Sequence, residues 1–528
     1  MKSNRPLIFG WILVILALSP ILWSGLYSDD LTNFLVQKSD RDQSLGHVWH
    51  YIQINLTHGQ LTGRFTPGTY FFMCFYYWLS ASVLGYKILL FSLSLFAVFC
   101  FTRLLISLGF RSWVPVALLL YCGMVQFYIN FHDPFTSLHG MYPTIFILII
   151  GSVLCFNDFL TSRRLAPLIA SIFLTMLCLF YSESGVIVYM LIFVLLLMDN
   201  TRNLLSKALL CLPYIVVLLF YLVVYMYVRS HSVMQYSGVS VNFKTADFLN
   251  TLHIQLYATR PLAGFFDMLH RKKIIWDQLS IFWPLVAVII VMFCFLMRYL
   301  VWGNLQTTIQ PRKRITALAI GFILFIVPAL PIALSSKYQQ ELHFGIGYLP
   351  VYIQNFGLAI IFLVIIEFLL SWLSAYKAIA GSLLSVLFLS FFILSFLRNT
   401  YWVSELNRDT FIPATYMYKS LKNDILNECP ANSVIVIGSD YMWRDHYPYD
   451  QLFDNLFDKH FKVVMSDQFH GVNATDGRDY YLLMHDKNTQ QTTLYKLGPN
   501  EDKQLIKKVD YPAEEVSNYF KLIYTSLR

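Results

Sequence analysis

The chain has 528 residues, of which 57% are hydrophobic and only 13% charged, with a mean hydropathy of +0.54. That composition excludes a string of soluble domains and points to bilayer-embedded segments. The net charge of +8 is uneven: residues 1–397 carry 24 Lys and Arg against 13 Asp and Glu, and residues 398–528 carry 15 against 18. The excess of base therefore belongs to the apolar part, where it orients spans; no nucleic-acid partner is implied.

A span needs about 20 apolar residues. Such runs fall at 7–26, 86–106, 113–130, 141–159, 165–181, 185–198, 208–228, 279–300, 316–334, 347–372 and 378–397. Eleven spans are predicted, the first retained, with Lys2 and Arg5 holding its N-terminal end in the cytoplasm. The run 69–84 is read as an interfacial or re-entrant helix, because counting it as a span would move the short basic loops that follow it to the wrong side. The same parity puts 27–68, the stretch from Arg229 to about Leu279, and the region 398–528 outside. The spans are read as nearly free of buried charge, with Glu367 near a cytoplasmic end.

The outer region 398–528 changes character. Ser433–Gly438, Lys462–Met465 and Tyr480–Met484 read as strands between polar, helix-compatible stretches, which predicts a small α/β domain. Of eight cysteines, six lie in apolar runs, and no disulfide framework or CxxC metal signature is present.

The first outer loop opens with Tyr27-Ser-Asp29-Asp30. Paired carboxylates there suit a helix N-cap, and equally a general base made more basic by partial desolvation. Arg64, between turn formers in Gly63-Arg64-Phe65-Thr66-Pro67-Gly68, suits either a snorkelling side chain or a fork onto a phosphate. Later outer turns hold His132, Asp133 and His139, then Glu183, residue types that cap helices or bind substrate. Lys337 with Tyr338 and Glu341 suits a phosphate and a sugar, and Arg260 belongs to an outward basic cluster able to meet anionic headgroups. No GxGxxG, P-loop, HExxH or GxSxG stands in a suitable context.

The first span followed by Asp29-Asp30, the Gly63–Pro67 stretch before an interfacial helix, and the Lys337 loop together resemble the GT-C class of membrane glycosyltransferases. The likeness covers roughly the first 400 residues in architecture; its motifs are short. It implies a polytopic α-helical, GT-C-like catalytic domain over 1–397 and an extracytoplasmic α/β domain over 398–528. It further implies a polyprenyl-phosphate-linked sugar donor, a glycan or lipid-linked acceptor, inversion at the anomeric carbon, no cofactor and no metal. Asp29 or Asp30 would be the base; Arg64, Lys337 and Arg260 would hold the donor phosphate; Tyr338, Glu341, His132, Asp133 and Glu183 would contact substrate. Many spans and a polar outer tail are similar to bacterial serotype-converting glucosyltransferases, which act on O-antigen lipopolysaccharide at the inner membrane. A surface-polysaccharide polymerase and a lipid-linked glycan flippase are the competing classes.

Overall fold

In lipid every backbone polar group must find its partner within the protein, so long apolar runs can only become helices. The computed structural model describes residues 5–27, 29–39, 44–80, 82–127, 133–234, 238, 240–241, 243–259, 272–302, 309–342, 349–372, 377–423, 425–438, 447–457, 459–469, 471–472, 477–486, 491–498 and 502–510. Among these, eight helices are long and apolar enough to cross a membrane: Arg5–Trp23, Val83–Ser107, Leu138–Ser162, Leu204–Ser230, Trp276–Phe295, Pro311–Leu334, Val351–Trp372 and Ala378–Lys422.

The other three predicted spans are shorter helices, Val114–Met124, Leu165–Tyr181 and Ile187–Leu197. Eleven residues at 1.5 Å each reach only about 17 Å, roughly half a bilayer. The helix at Val114 stops early because the last long helix supplies substitutes for its backbone bonds. Asn399 accepts from the Phe127 N–H at 2.9 Å and donates to the Val125 carbonyl at 2.9 Å, Ser395 Oγ donates to the same carbonyl, and Arg398 holds the Gln126 side-chain oxygen at 2.8 Å. In this way side chains satisfy the Phe127 N–H and the Val125 carbonyl at a buried end.

Two contacts lock the Pro311–Leu334 and Val351–Trp372 helices. A Cβ on Gly357 would come within 2.6 Å of the Gly321 carbonyl, so bare backbones cross there. Farther along, the Arg314 guanidinium meets the fully buried Glu367 carboxylate at 2.6 Å. Removing one partner of such a pair strands a buried charge, so Glu367→Ala should destabilise the protein by about 3 kcal/mol. Thermal unfolding in detergent should show this, and Arg314→Met with Glu367→Leu should restore most of the loss. Elsewhere Ser152, Ser171, Thr175 and Tyr214 form a hydroxyl chain across three helices.

The helix Pro67–Leu79 has 13 residues, about 20 Å, too short to cross upright. The last long helix runs to Leu406, passes through a π-helical turn at Asn407–Phe411 and continues as Ile412–Lys422. A five-stranded sheet follows: β1 Val434–Ile437, β2 Lys462–Met465, β3 Tyr480–Asp486, β4 Gln491–Leu497 and β5 Lys503–Asp510, in the order β2-β1-β3-β4-β5. β1 pairs in parallel with β2 and β3, whereas β3, β4 and β5 form an antiparallel meander. The predicted strands are present, and β4 and β5 are additional. β5 carries Lys503, Lys507 and Lys508 along the open edge, which discourages pairing with another chain. The helix Tyr447–Leu456 crosses from β1 towards β2 and packs against the Asp29–Ser39 helix.

The chain is thus a polytopic α-helical membrane protein with a small C-terminal sheet domain.

Candidate functional site

Local sequence fixes where Arg64 stands. The helix Leu45–Thr62 starts on the Ser44 cap and ends at Gly63, whose φ of 72° is the left-handed cap that glycine adopts without penalty. The Arg64 N–H then returns to the Gly59 carbonyl at 2.9 Å, and Pro67 opens the next helix. Arg64 is left half-buried in the corner between the two helices.

Asp29 and Asp30 form the first turn of the Asp29–Ser39 helix, where the dipole favours acids. Adjacent residues on a helix point about 100° apart, and the two carboxylates have opposite surroundings. Asp29 is exposed and lines a cavity of about 680 Å³. Asp30 is fully buried behind it.

The cavity draws residues from six parts of the chain. Of the predicted site residues it brings together Asp29, Arg64, Glu183, Lys337 and Tyr338. Lys337 sits on the short helix Ser336–Glu341, tied down where the Ser336 N–H donates to the Ser240 carbonyl at 3.0 Å and Ser335 Oγ donates to the Gly238 carbonyl at 2.9 Å. Its Nζ lies 5.7 Å from the Tyr338 ring centroid and 4.0 Å from Glu341 Oε1. Glu183 follows the kink between two short helices, and its charge reaches Tyr225 alongside those of Arg64 and Arg229. Three cations, Arg64, Arg229 and Lys337, and two carboxylates, Asp29 and Glu183, lining one cavity can grip an anion and accept a proton.

Behind this wall Asp30 organises a polar knot. Its Oδ1 accepts from Tyr77 Oη at 2.9 Å and from the His139 backbone N–H at 2.6 Å, and its Oδ2 accepts from Tyr86 Oη at 2.7 Å. Burial pushes the carboxyl up to about 6, against the Lys87 charge and these three hydrogen bonds, which pull it down. Leu138, His139 and Gly140 all have positive φ, at 60°, 42° and 65°. The first two are strained, by about 1–3 kcal/mol each, and the bond to Asp30 helps hold the turn that puts His139 on the cavity wall.

Asp133 is buried and turns inward: its carboxylate accepts from the Thr136 N–H at 3.0 Å and from the Thr136 hydroxyl. It interacts electrostatically with Lys87 and does not line the cavity. Glu341 is more than half exposed, is not among the residues lining the cavity, and pairs with Lys337. His132 and Arg260 lie outside the described residues.

Several cavity residues were not anticipated. Asn33, Asn55, His58, Tyr225 and Arg229 all line it. Lys87 corrects the reading of the spans as nearly free of buried charge, since it is fully buried within the Val83–Ser107 helix. Its signal was visible: an ammonium inside an apolar run is costly and marks a used position. Among the described residues no three His, Cys, Asp or Glu side chains are grouped to hold a metal ion.

No family model matches the chain, and no curated protein matches it. Among solved structures it is similar to ArnT from Cupriavidus metallidurans in two crystal structures. The form bound to undecaprenyl phosphate shares 10% identity over 92% of this chain and 94% of that one, with a TM-score of 0.42. The apo form shares 11% identity over 91% and 93%, with a TM-score of 0.43.

Proposed function

We propose that this protein is a GT-C-type membrane glycosyltransferase that moves a sugar from a polyprenyl phosphate to a glycan or lipid-linked acceptor on the outer face. The observation that carries this reading is one cavity lined by an exposed carboxylate, Asp29, and by the cations Arg64 and Lys337. Asp29 takes the proton of an acceptor hydroxyl as that oxygen bonds to the anomeric carbon. The bond from that carbon to the phosphate oxygen breaks with inversion, and the electron pair leaves on the lipid phosphate.

Arg64 and Lys337, with Arg260 as a third cation, hold the phosphate as its charge grows. Tyr338 and Glu183 line the space for the sugar and the acceptor. A phosphate monoester stabilised by cations leaves without a metal. The sequence resemblance makes undecaprenyl-phosphate glucose and O-antigen the first pair to try.

The test is sugar transfer by purified protein in detergent with EDTA, beside the Asp29→Asn, Asp30→Asn double variant. Transfer by the wild type alone supports the reading. Extension of a lipid-linked oligosaccharide, or binding without product, moves the protein to the polymerase or flippase class. Arg64→Ala and Lys337→Ala should each raise the donor KM by about 10–100-fold, the worth of a charge-assisted hydrogen bond. A KM that stays at the wild-type value in both variants would remove the phosphate role.

A further inference from the structure

The segment that leads into Asp29 is held from the far end of the chain. Asn407, fully buried at the start of the π-helical turn, faces residues 23–27. Its Oδ1 accepts from the Gly25 N–H at 2.6 Å and from the Tyr27 hydroxyl, and its Nδ2 donates to the Trp23 carbonyl at 2.9 Å. One side chain thus fills the roles a continuing helix would have filled for that stretch of backbone. Phe411, one turn on, packs so closely on Gly25 that a Cβ there would overlap its ring.

The contact continues to the carboxylates. The Tyr27 ring lies 5.4 Å under Lys87 Nζ, and the Lys87 charge acts on Asp30. Asn407, Tyr27, Lys87 and Asp30 are all fully buried. A second arm reaches the same place, since the Tyr447–Leu456 helix of the sheet domain packs against the Asp29–Ser39 helix. A π-helical turn costs hydrogen-bond geometry and is usually retained for a use.

We propose that Asn407 is a positioning residue: through Gly25 and Tyr27 it sets the start of the Asp29–Ser39 helix, and so the aim of Asp29 into the cavity. The C-terminal region is then part of the catalytic geometry. This rests on the reading of Asp29 as the base.

The test uses the full chain in detergent, with Asn407→Ala, Asn407→Asp and, in case the first fails to fold, Tyr27→Phe. Hydrogen exchange is followed by mass spectrometry, and transfer from undecaprenyl-phosphate glucose is measured at varied donor concentration. In Asn407→Ala, exchange should rise over 23–39 and stay unchanged over 336–341. The kcat should fall by about tenfold to a hundredfold, as expected for a reacting group moved by about 1 Å, with the donor KM unchanged. Asn407→Asp keeps the accepting oxygen and should recover part of kcat; Tyr27→Phe should lose less than Asn407→Ala.

Wild-type exchange and kcat in Asn407→Ala would overturn the proposal. So would a rise in exchange spread over the whole chain with kcat and KM worsening together, the mark of a purely structural residue. If the wild type transfers no sugar, the functional reading fails, and exchange over 23–39 alone decides whether Asn407 holds the segment.

Discussion

Asp29→Asn is expected to lower kcat for sugar transfer by about 10²–10⁴-fold, the contribution of a positioned general base. The replacement keeps the size of the side chain. Asp29 is exposed to the cavity rather than packed, so the helix it starts should remain in place. Arg64 and Lys337, the proposed phosphate holders, stand on other elements, so donor affinity should be nearly unchanged. The loss should therefore appear in the rate at saturating donor and not in binding. Thermal unfolding of the variant should match the wild type. A rate within a few-fold of wild type would shift the base to Glu183, the other predicted carboxylate on the cavity wall. Glu183→Gln would then have to show the loss that Asp29→Asn does not.

Legibility divided by distance along the chain. A transmembrane helix is a property of about 20 consecutive residues, and among the described residues every predicted apolar run contains a helix. Where a run came out short, at Val114–Met124, the cause was a partner some 270 residues away, Asn399. The loop motifs around Asp29, Arg64, Glu183 and Lys337 were readable because turn formers and charges beside a membrane surface are local signals; their meeting on one cavity was not. β4 escaped although Thr492 and Leu494 are buried on one face and Leu497 on the other, because polar residues separate its apolar positions. Lys87 was readable and was absorbed into an apolar average. Asn407 gave no signal at all: a lone Asn in a polar stretch is ordinary, and only the fold puts it against Gly25 and Tyr27.

The second large effect is a pH dependence set by Asp30. Its carboxyl titrates at about 6 in the folded chain, above its ordinary range near 4, because burial outweighs Lys87 and the hydrogen bonds from Tyr86, Tyr77 and the His139 N–H. Between about pH 4 and 6 the folded chain therefore holds more protons than the unfolded chain. This group's contribution to stability falls as pH rises through that window and is level above it, a change of about 3 kcal/mol. Function should run the other way. Protonating Asp30 at Oδ2 leaves Oδ1 accepting from Tyr77 and the His139 N–H and turns the Tyr86 bond round, but it removes the negative charge that faces Lys87, and transfer should fall as pH drops through about 6. Asp30→Asn separates the two effects. Its Oδ1 can still accept from Tyr77 and His139, and the Tyr86 hydroxyl can rotate to accept from the new amide. The variant should fold, should lose the pH dependence of its unfolding temperature between pH 4 and 6, and should show no acid limb near 6 in its remaining transfer. If the limb persists in Asp30→Asn, another group sets it and Asp30 has only a packing role. The folded chain keeps an ionised carboxylate at neutral pH in a place where it costs stability. A cost of that size beside the cavity is what a site held for chemistry would carry.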